Sequence, residues 1–410
     1  MHAITKVLSV AILVALGLAL ATGAAEPGEG GKTIRAASGG KEGTDMKGLW
    51  FKEHLTDDKS SLPFSFTYDG QPSAKLLGEW LGKKESKRLD DARTQHVMQW
   101  TDPKTGLEVR CVAVDYADYP AVEWTVWFRN TGKTDTPILK DIQGLDATFT
   151  RPAPGEFVLH GNKGDWNVAE GFEPYRRTLA PGTTQRFAPN APVSPAWRDV
   201  ANASGPTQRF AGNGGRSTNG PDGWPYYNVQ WTGGGFILAV GWPGQWAALF
   251  SRDEQTALRI TAGQELTHLS LKPGEEIRSP LTVLLFWQGD DVVSAQNLWR
   301  RWYMAHVIPK IDGRPPAPIM QMQLAPTCQG SEQEQFAEAR KYEDAGIEID
   351  LYWNDAGWYP CGGMWNNTGT WETDASRYPN GFKPIADWVH AKGKKRSCPF
   401  SAQAGTGSEA

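Results

Sequence analysis

From about residue 47 to residue 288 apolar and polar positions alternate in short runs broken by turn residues. That period of two is the signature of half-buried strands. Phe64-Ser65-Phe66-Thr67-Tyr68 alternates and stops at Asp69-Gly70, a hairpin-type turn. Residues 107–114 alternate again, and residues 122–128 follow and stop at Asn130-Thr131-Gly132. Further runs lie at 235–240, 246–250, 258–261 and 281–286. With helical patterns scarce, these runs predict a large antiparallel β-sandwich. Residues 151–223 are rich in Gly, Pro and Asn and predict long loops.

At Asp290 the period changes. Ala295, Leu298, Trp299 and Trp302 fall at i, i+3, i+4 and i+7 on one face of a helix, with Asp290 or Asp291 as its cap. The proline cluster at 309–318 then marks a domain boundary. Beyond it strands and helices alternate. Residues 319–324 predict a strand, and Ser331 with Glu334 makes a capping box for a helix that Gly346 closes. Residues 349–353 are a second apolar strand, and Pro384 opens a helix with Ile385, Trp388 and Val389 facing inward. Gly393 ends that helix, and a third strand follows Lys395. Repeated βα units predict a parallel sheet or barrel.

About 25 residues connect the second strand to its helix, against roughly 2–6 in ordinary βα loops. Chemistry in parallel α/β folds sits where strands end and loops begin. This loop starts at Asn354-Asp355-Ala356-Gly357-Trp358 and carries Trp371 further on. An amide, a carboxylate and two indoles there fit a sugar site, because polar groups grip hydroxyls and aromatic faces take the ring's C–H face. The competing reading is a capped loop, with Asp355 serving the turn and the tryptophans simply buried.

Bulk properties narrow the picture. Net charge is −4 without a long basic run, so neither nucleic acid nor an anionic membrane is an implied partner. The 19 Trp among 410 residues favour carbohydrate over phosphate or metal chemistry. Lys6 before an apolar run at 7–21 and small residues at 21–25 read as a secretory signal peptide over residues 1–25. A Gly-rich flexible leader at 26–46 follows, then the sandwich at 47–308, the 309–318 linker and the βα segment at 319–410. The expected destination is the periplasm or the extracellular space, with no membrane association once the signal is removed. The four Cys are too few for a disulfide framework, and the seven scattered His offer no metal site. Cys111, in mid-strand, reads as an inert buried thiol. Cys328 and Cys361 follow strands that would be neighbours in a barrel and are a candidate disulfide. No cofactor is expected.

Several stretches follow one another in a telling order: Pro63 to Gly70 with Pro72-Ser73-Ala74 and Trp80; residues 126–132; Gly215-Arg216-Ser217-Thr218; and Gly241-Trp242-Pro243-Gly244-Gln245-Trp246. Together they resemble the bacterial α-galactosidases of glycoside hydrolase family 36. Asn354-Asp355-Ala356-Gly357-Trp358 resembles the family's Asp-Asp-Gly-Trp motif with one residue inserted. Trp371-Glu372-Thr373-Asp374 and Tyr378-Pro379-Asn380-Gly381 resemble its next block. The resemblance implies a β-supersandwich followed by the first units of a (β/α)8 barrel, and retaining release of terminal α-linked galactose. It assigns Asn354 and Asp355 to the galactose 4- and 6-hydroxyls and Trp371 to the sugar pocket, while Trp358 stays a candidate on its place in the loop. It leaves room for a homo-oligomer in full-length members.

Three departures accompany it. Asn354 stands where the family usually has Asp, and Pro326-Thr327-Cys328-Gln329 stands where it has a Trp. Only 93 residues run from Pro318 to Ala410, against ~250 for a whole barrel. The family's catalytic carboxylates lie on later strands, so no catalytic residue is assigned here. The stretch after Lys395 also departs from the family's third strand, which suggests a truncated or frame-disrupted product that is inactive alone. An open βα fragment would further lower solubility. The alternative is a non-catalytic carbohydrate-binding protein that uses the Trp-rich sandwich.

Overall fold

The computed structural model describes residues 41–56, 62–151, 154–164, 169–189, 218, 220, 222–324, 330–354, 358–360, 362 and 372–397. It divides into two compact units, Met1–Trp302 and Tyr303–Ala410. The expected signal peptide and the Gly215-Arg216-Ser217 stretch lie outside the described residues.

The first unit opens with helix α1 (Lys41–Phe51). Its strands begin with β1 (Ser65–Tyr68) and β2 (Gln71–Pro72), then the short helix α2 (Ser73–Leu76), β3 (Leu81–Arg88) and β4 (Arg93–Thr101). Next come β5 (Leu107–Tyr116), β6 (Ala121–Asn130), β7 (Leu139–Thr150), β8 (Val158–Asn162), β9 (Pro174–Thr178) and β10 (Thr184–Phe187). The second half has β11 (Tyr226–Trp231), β12 (Gly234–Gly241), β13 (Trp246–Arg252) and β14 (Ala257–Gln264). It finishes with β15 (His268–Leu269), β16 (Glu276–Arg278), β17 (Leu281–Gln288) and helix α3 (Val292–Trp302).

These strands form two antiparallel sheets, as the period of two implies. One runs β10-β13-β14-β7-β1-β2, with β15 beside β7; the other runs β3-β4-β5-β6-β17-β12-β11-β8-β9, with β16 beside β6. Strands β8, β9 and β10 cross the 151–223 region that composition had given to loops, because short strands between Gly and Pro carry too few residues to show a period. Helix α1 was not legible either. Its Lys47 is buried and donates to the Asp115 carboxylate and the Tyr116 carbonyl, each at 2.7 Å, which ties the helix to β5.

The core lies between the sheets. Phe66, Trp124, Phe128, Leu145, Phe236, Ile260 and Phe286 all belong to it. Strand β17 is buried on both faces, which explains its unbroken apolar run. Leu284 and Phe286 join the inter-sheet core, while Val283, Leu285 and Trp287 meet Ala295, Leu298 and Trp302 of α3. Asp291 caps α3, accepting from the Val293 N–H at 2.9 Å and the Ser294 hydroxyl at 2.6 Å. Cys111 is fully buried and unpaired, and burial pushes its thiol pKa far up, as expected for an inert cysteine.

Many of the tryptophans are core residues. Eight described ones (Trp50, Trp100, Trp124, Trp231, Trp246, Trp287, Trp302 and Trp358) are buried. Two bury their N–H with a partner: Trp124 donates to the Gly144 carbonyl at 2.7 Å and Trp287 to the Asn228 side-chain oxygen at 2.9 Å. Their first use is packing, since an indole removes a large apolar area and carries a single polar atom.

The second unit alternates β18 (Gln321–Leu324), α4 (Glu332–Asp344), β19 (Leu351–Asn354), α5 (Lys383–His390) and β20 (Lys395–Ser397). The strands are parallel, with β19 in the middle. The capping box at Ser331 and Glu334 is formed, and Gly346 sits at φ +69° just past α4, where a side chain would be strained. Met322, Leu324, Tyr352, Ala339, Ile385 and Val389 share one core. Among the described residues these strands make an open three-stranded sheet, and no closed barrel is present.

Candidate functional site

The site expected from sequence lies at the C-terminal edge of β19. The apolar run sets the strand, and Asn354 ends it in register with Leu324 of β18. Its side chain is buried, with 2% exposure. A primary amide taken out of water is costly unless it is hydrogen-bonded, and Asn354 is held by an interaction within the protein.

Trp358 follows in the connecting loop. Its ring is 3% exposed and packs edge-on against Tyr359 and Phe382, each at 5.3 Å between centroids, in a cluster completed by Tyr378. The indole therefore serves as part of the loop's own small core. Asn354 and Trp358 are the two expected site residues that the structure describes. Asp355, Trp371, Cys328 and Cys361 lie outside the described residues.

An arginine that sequence reasoning passed over fixes the far end of the loop. Arg377 donates through Nε to the Asp374 carboxylate at 3.0 Å, through one terminal nitrogen to the Gly330 carbonyl at 2.8 Å, and through the other to the Tyr359 carbonyl at 2.9 Å. Gly330 directly precedes the cap of α4, so one guanidinium joins the loop after β19 to the connection after β18. The Glu332 N–H donates to the Arg377 carbonyl at 3.1 Å, and the buried Gln335 side chain donates to the Tyr378 hydroxyl at 3.1 Å. Charge-assisted bonds in a fixed fork suit this role, and lysine could not replace it. A loop arginine has no periodicity to betray it. The one available signal was the Asp-x-Ser-Arg spacing of a local turn.

Asp374 is the charged partner. The Ser376 hydroxyl, at 2.6 Å, and then the Arg377 guanidinium hold its carboxyl below the usual carboxylate range. A carboxyl whose folded pKa is lowered stabilises the fold fully above its unfolded value, and that contribution is lost as pH falls through the folded pKa. Protection of residues 372–382 from hydrogen exchange, taken relative to the intrinsic rate at each pH, is therefore expected to be full at neutral pH and to fall below about pH 3.9. Asp374→Asn should exchange faster at neutral pH and flatten the acid dependence. An unchanged profile in the variant would remove Asp374 as the anchor.

Neither a protein-family model nor a curated protein sequence matches the chain. Solved structures do match it. The α-galactosidase of Lactobacillus brevis is similar at a TM-score of 0.59 and 15% identity, over 84% of this chain and 45% of that one. The GH36 α-galactosidase AgaA of Geobacillus stearothermophilus is similar at 0.56 and 16%, over 84% and 46%. The galactosidase domain of an α-galactosidase–sucrose kinase is similar at 0.57 and 17%, over 83% and 46%. At these identities the likeness is one of fold, and it covers the antiparallel β-sandwich. The chain spans under half the length of each of these structures.

Proposed function

We propose that this chain is the front part of an exported α-galactosidase-type retaining glycoside hydrolase, acting on terminal α-linked galactose. The observation that carries the reading is the fold likeness to solved α-galactosidases over 84% of the chain. A buried amide at the end of the middle parallel strand supports where the sugar would sit. In this reading β18, β19 and β20 are the first strands of a (β/α)8 barrel.

Asn354 and Asp355 would bind the 4- and 6-hydroxyls, Trp371 would line the pocket, and Trp358 would hold the pocket's base from within the aromatic cluster. An amide both donates and accepts, so Asn354 can satisfy a hydroxyl in either sense. Retaining hydrolysis needs two carboxyls ~5–5.5 Å apart, one attacking the anomeric carbon and one moving the proton. The family resemblance puts both on strands that would follow β20. Asn354 and Asp355 are therefore binding groups, and the chemistry belongs to the rest of the barrel.

The test compares nitrophenyl α-galactoside with nitrophenyl α-glucoside on the same chain extended to a full barrel. Cleavage of the galactoside with retention at the anomeric carbon is the expected result. Preference for the glucoside, whose 4-hydroxyl has the opposite configuration, would overturn the assignment of Asn354 and Asp355.

A further inference from the structure

The sandwich unit contains a cleft of about 970 Å³, near the upper end of the ~300–1,000 Å³ typical of small-molecule sites. It opens where β1 stops short. Ser65 is the first β1 residue paired with β7, opposite Gln143, and one further bond joins the Asp146 N–H to the Pro63 carbonyl at 2.8 Å. Beyond that point no described strand covers this edge of β7. The facing wall comes from the ribbon of β3 and β4.

The lining is mixed in a particular way. Trp100 on β4 and Trp80, just after α2, supply aromatic surface. Trp80 is half-buried and held in place by Phe66 and Tyr68, whose rings lie 6.3 and 5.9 Å away. Asp146 and the exposed Arg259 face each other in a two-pronged pair, Nε to Oδ1 at 2.9 Å and Nη2 to Oδ2 at 3.0 Å. Gly82 pairs with Trp100, and Lys84 with Met98, so Lys84 stands on the same face of the ribbon as Trp100. Lys83 and Glu53 complete the charged groups. Three cations face two anions, and Arg259 and Asp146 neutralise each other within the lining.

An empty packing defect is apolar and dry. A cleft bordered by five ion-forming residues holds water, and the half-buried Trp80 ring on its wall remains wetted only until a ligand with an apolar face displaces that water. The one lysine in excess stands on the exposed β3 ribbon, where its pull on an anion is weak and screened. The ligand that satisfies both conditions has many hydroxyls, apolar C–H faces and no net charge. We propose that this cleft binds a neutral oligosaccharide, as a second carbohydrate site built wholly from the sandwich unit. The proposal is independent of the barrel-edge site, which uses other residues in the other unit.

The test is calorimetric titration of the full 410-residue chain with two neutral tetrasaccharides, stachyose and cellotetraose. Thr148 is exposed on β7 and lines the cleft, so Thr148→Trp fills it without disturbing the core; Trp80→Ala removes an aromatic wall. At least one sugar is expected to bind saturably, each cleft variant weakening it about tenfold or more, equivalent to ~1.4 kcal/mol. With cellotetraose, which has no α-galactosyl end, Asn354→Ala should leave this binding unchanged. Saturable binding of neither sugar at millimolar concentration, or binding unaltered in both cleft variants, would overturn the cleft site. Binding lost only in Asn354→Ala would also overturn it, while leaving the barrel-edge reading intact.

Discussion

Trp124→Ala is expected to unfold most of the sandwich unit at ordinary temperature. Trp124 is 1% exposed, stacks on Trp50 at 5.3 Å between centroids, and satisfies the Gly144 carbonyl across the core. Truncating a buried Trp or Phe costs about 3–5 kcal/mol through lost transfer energy and the cavity left behind. An orphaned buried carbonyl adds ~1–3 kcal/mol. A typical domain has only about 5–15 kcal/mol in hand, so the sum takes most of it. Trp124→Phe keeps much of the volume and should lose chiefly the hydrogen-bond part. Denaturant unfolding followed by circular dichroism separates the two. A Trp124→Ala midpoint close to that of the parent would mean that the core between the sheets is not built as described.

In the barrel-extended form, Asn354→Ala is expected to lower kcat/KM for an α-galactoside by about 10–100-fold, the range for one or two buried hydrogen bonds to substrate at roughly 1.4 kcal/mol per tenfold. Asn354→Asp should retain far more, since the carboxylate also accepts from sugar hydroxyls. Circular dichroism on both variants reports whether β19 keeps its place. Equal losses in the two variants with intact spectra would make Asn354 a strand-end packing residue.

Much of the fold was legible because burial writes a period into the sequence. Strand β17 was read at 281–286 as one more alternating run, and its apolar stretch at 283–287 has its cause in the structure: one face meets the opposite sheet and the other meets α3. The caps at Asp291 and Ser331 were legible because short polar side chains before an apolar period have few other uses. Strand β3 was not. Every residue from Leu81 to Arg88 is exposed, so its conformation comes from pairing with β4 and no amphipathic face records it. Its lysines suit an edge strand that avoids unwanted partners.

The site was legible only in part. Asn354 stood out because a polar residue ended an apolar strand before a long loop. Trp358 stood out for its residue type, and the type is ambiguous: the same indole serves a sugar face or a core, and burial against Tyr359 and Phe382 is visible only in three dimensions. Arg377 left only the spacing of its local turn and the sandwich cleft left none, since each joins residues far apart in the chain. Trp80, Trp100, Asp146 and Arg259 span almost 180 positions between them.

The decisive measurement is hydrolysis of nitrophenyl α-galactoside by the purified 410-residue chain beside the same chain extended to a full barrel. Activity in the extended form alone is the expected result, because both catalytic carboxylates would then lie beyond β20. Equal activity in the two forms would put those carboxylates within these 410 residues and contradict the assignment of Asn354 and Asp355 as binding groups only. Inactivity of a folded, extended form would contradict the α-galactosidase reading itself.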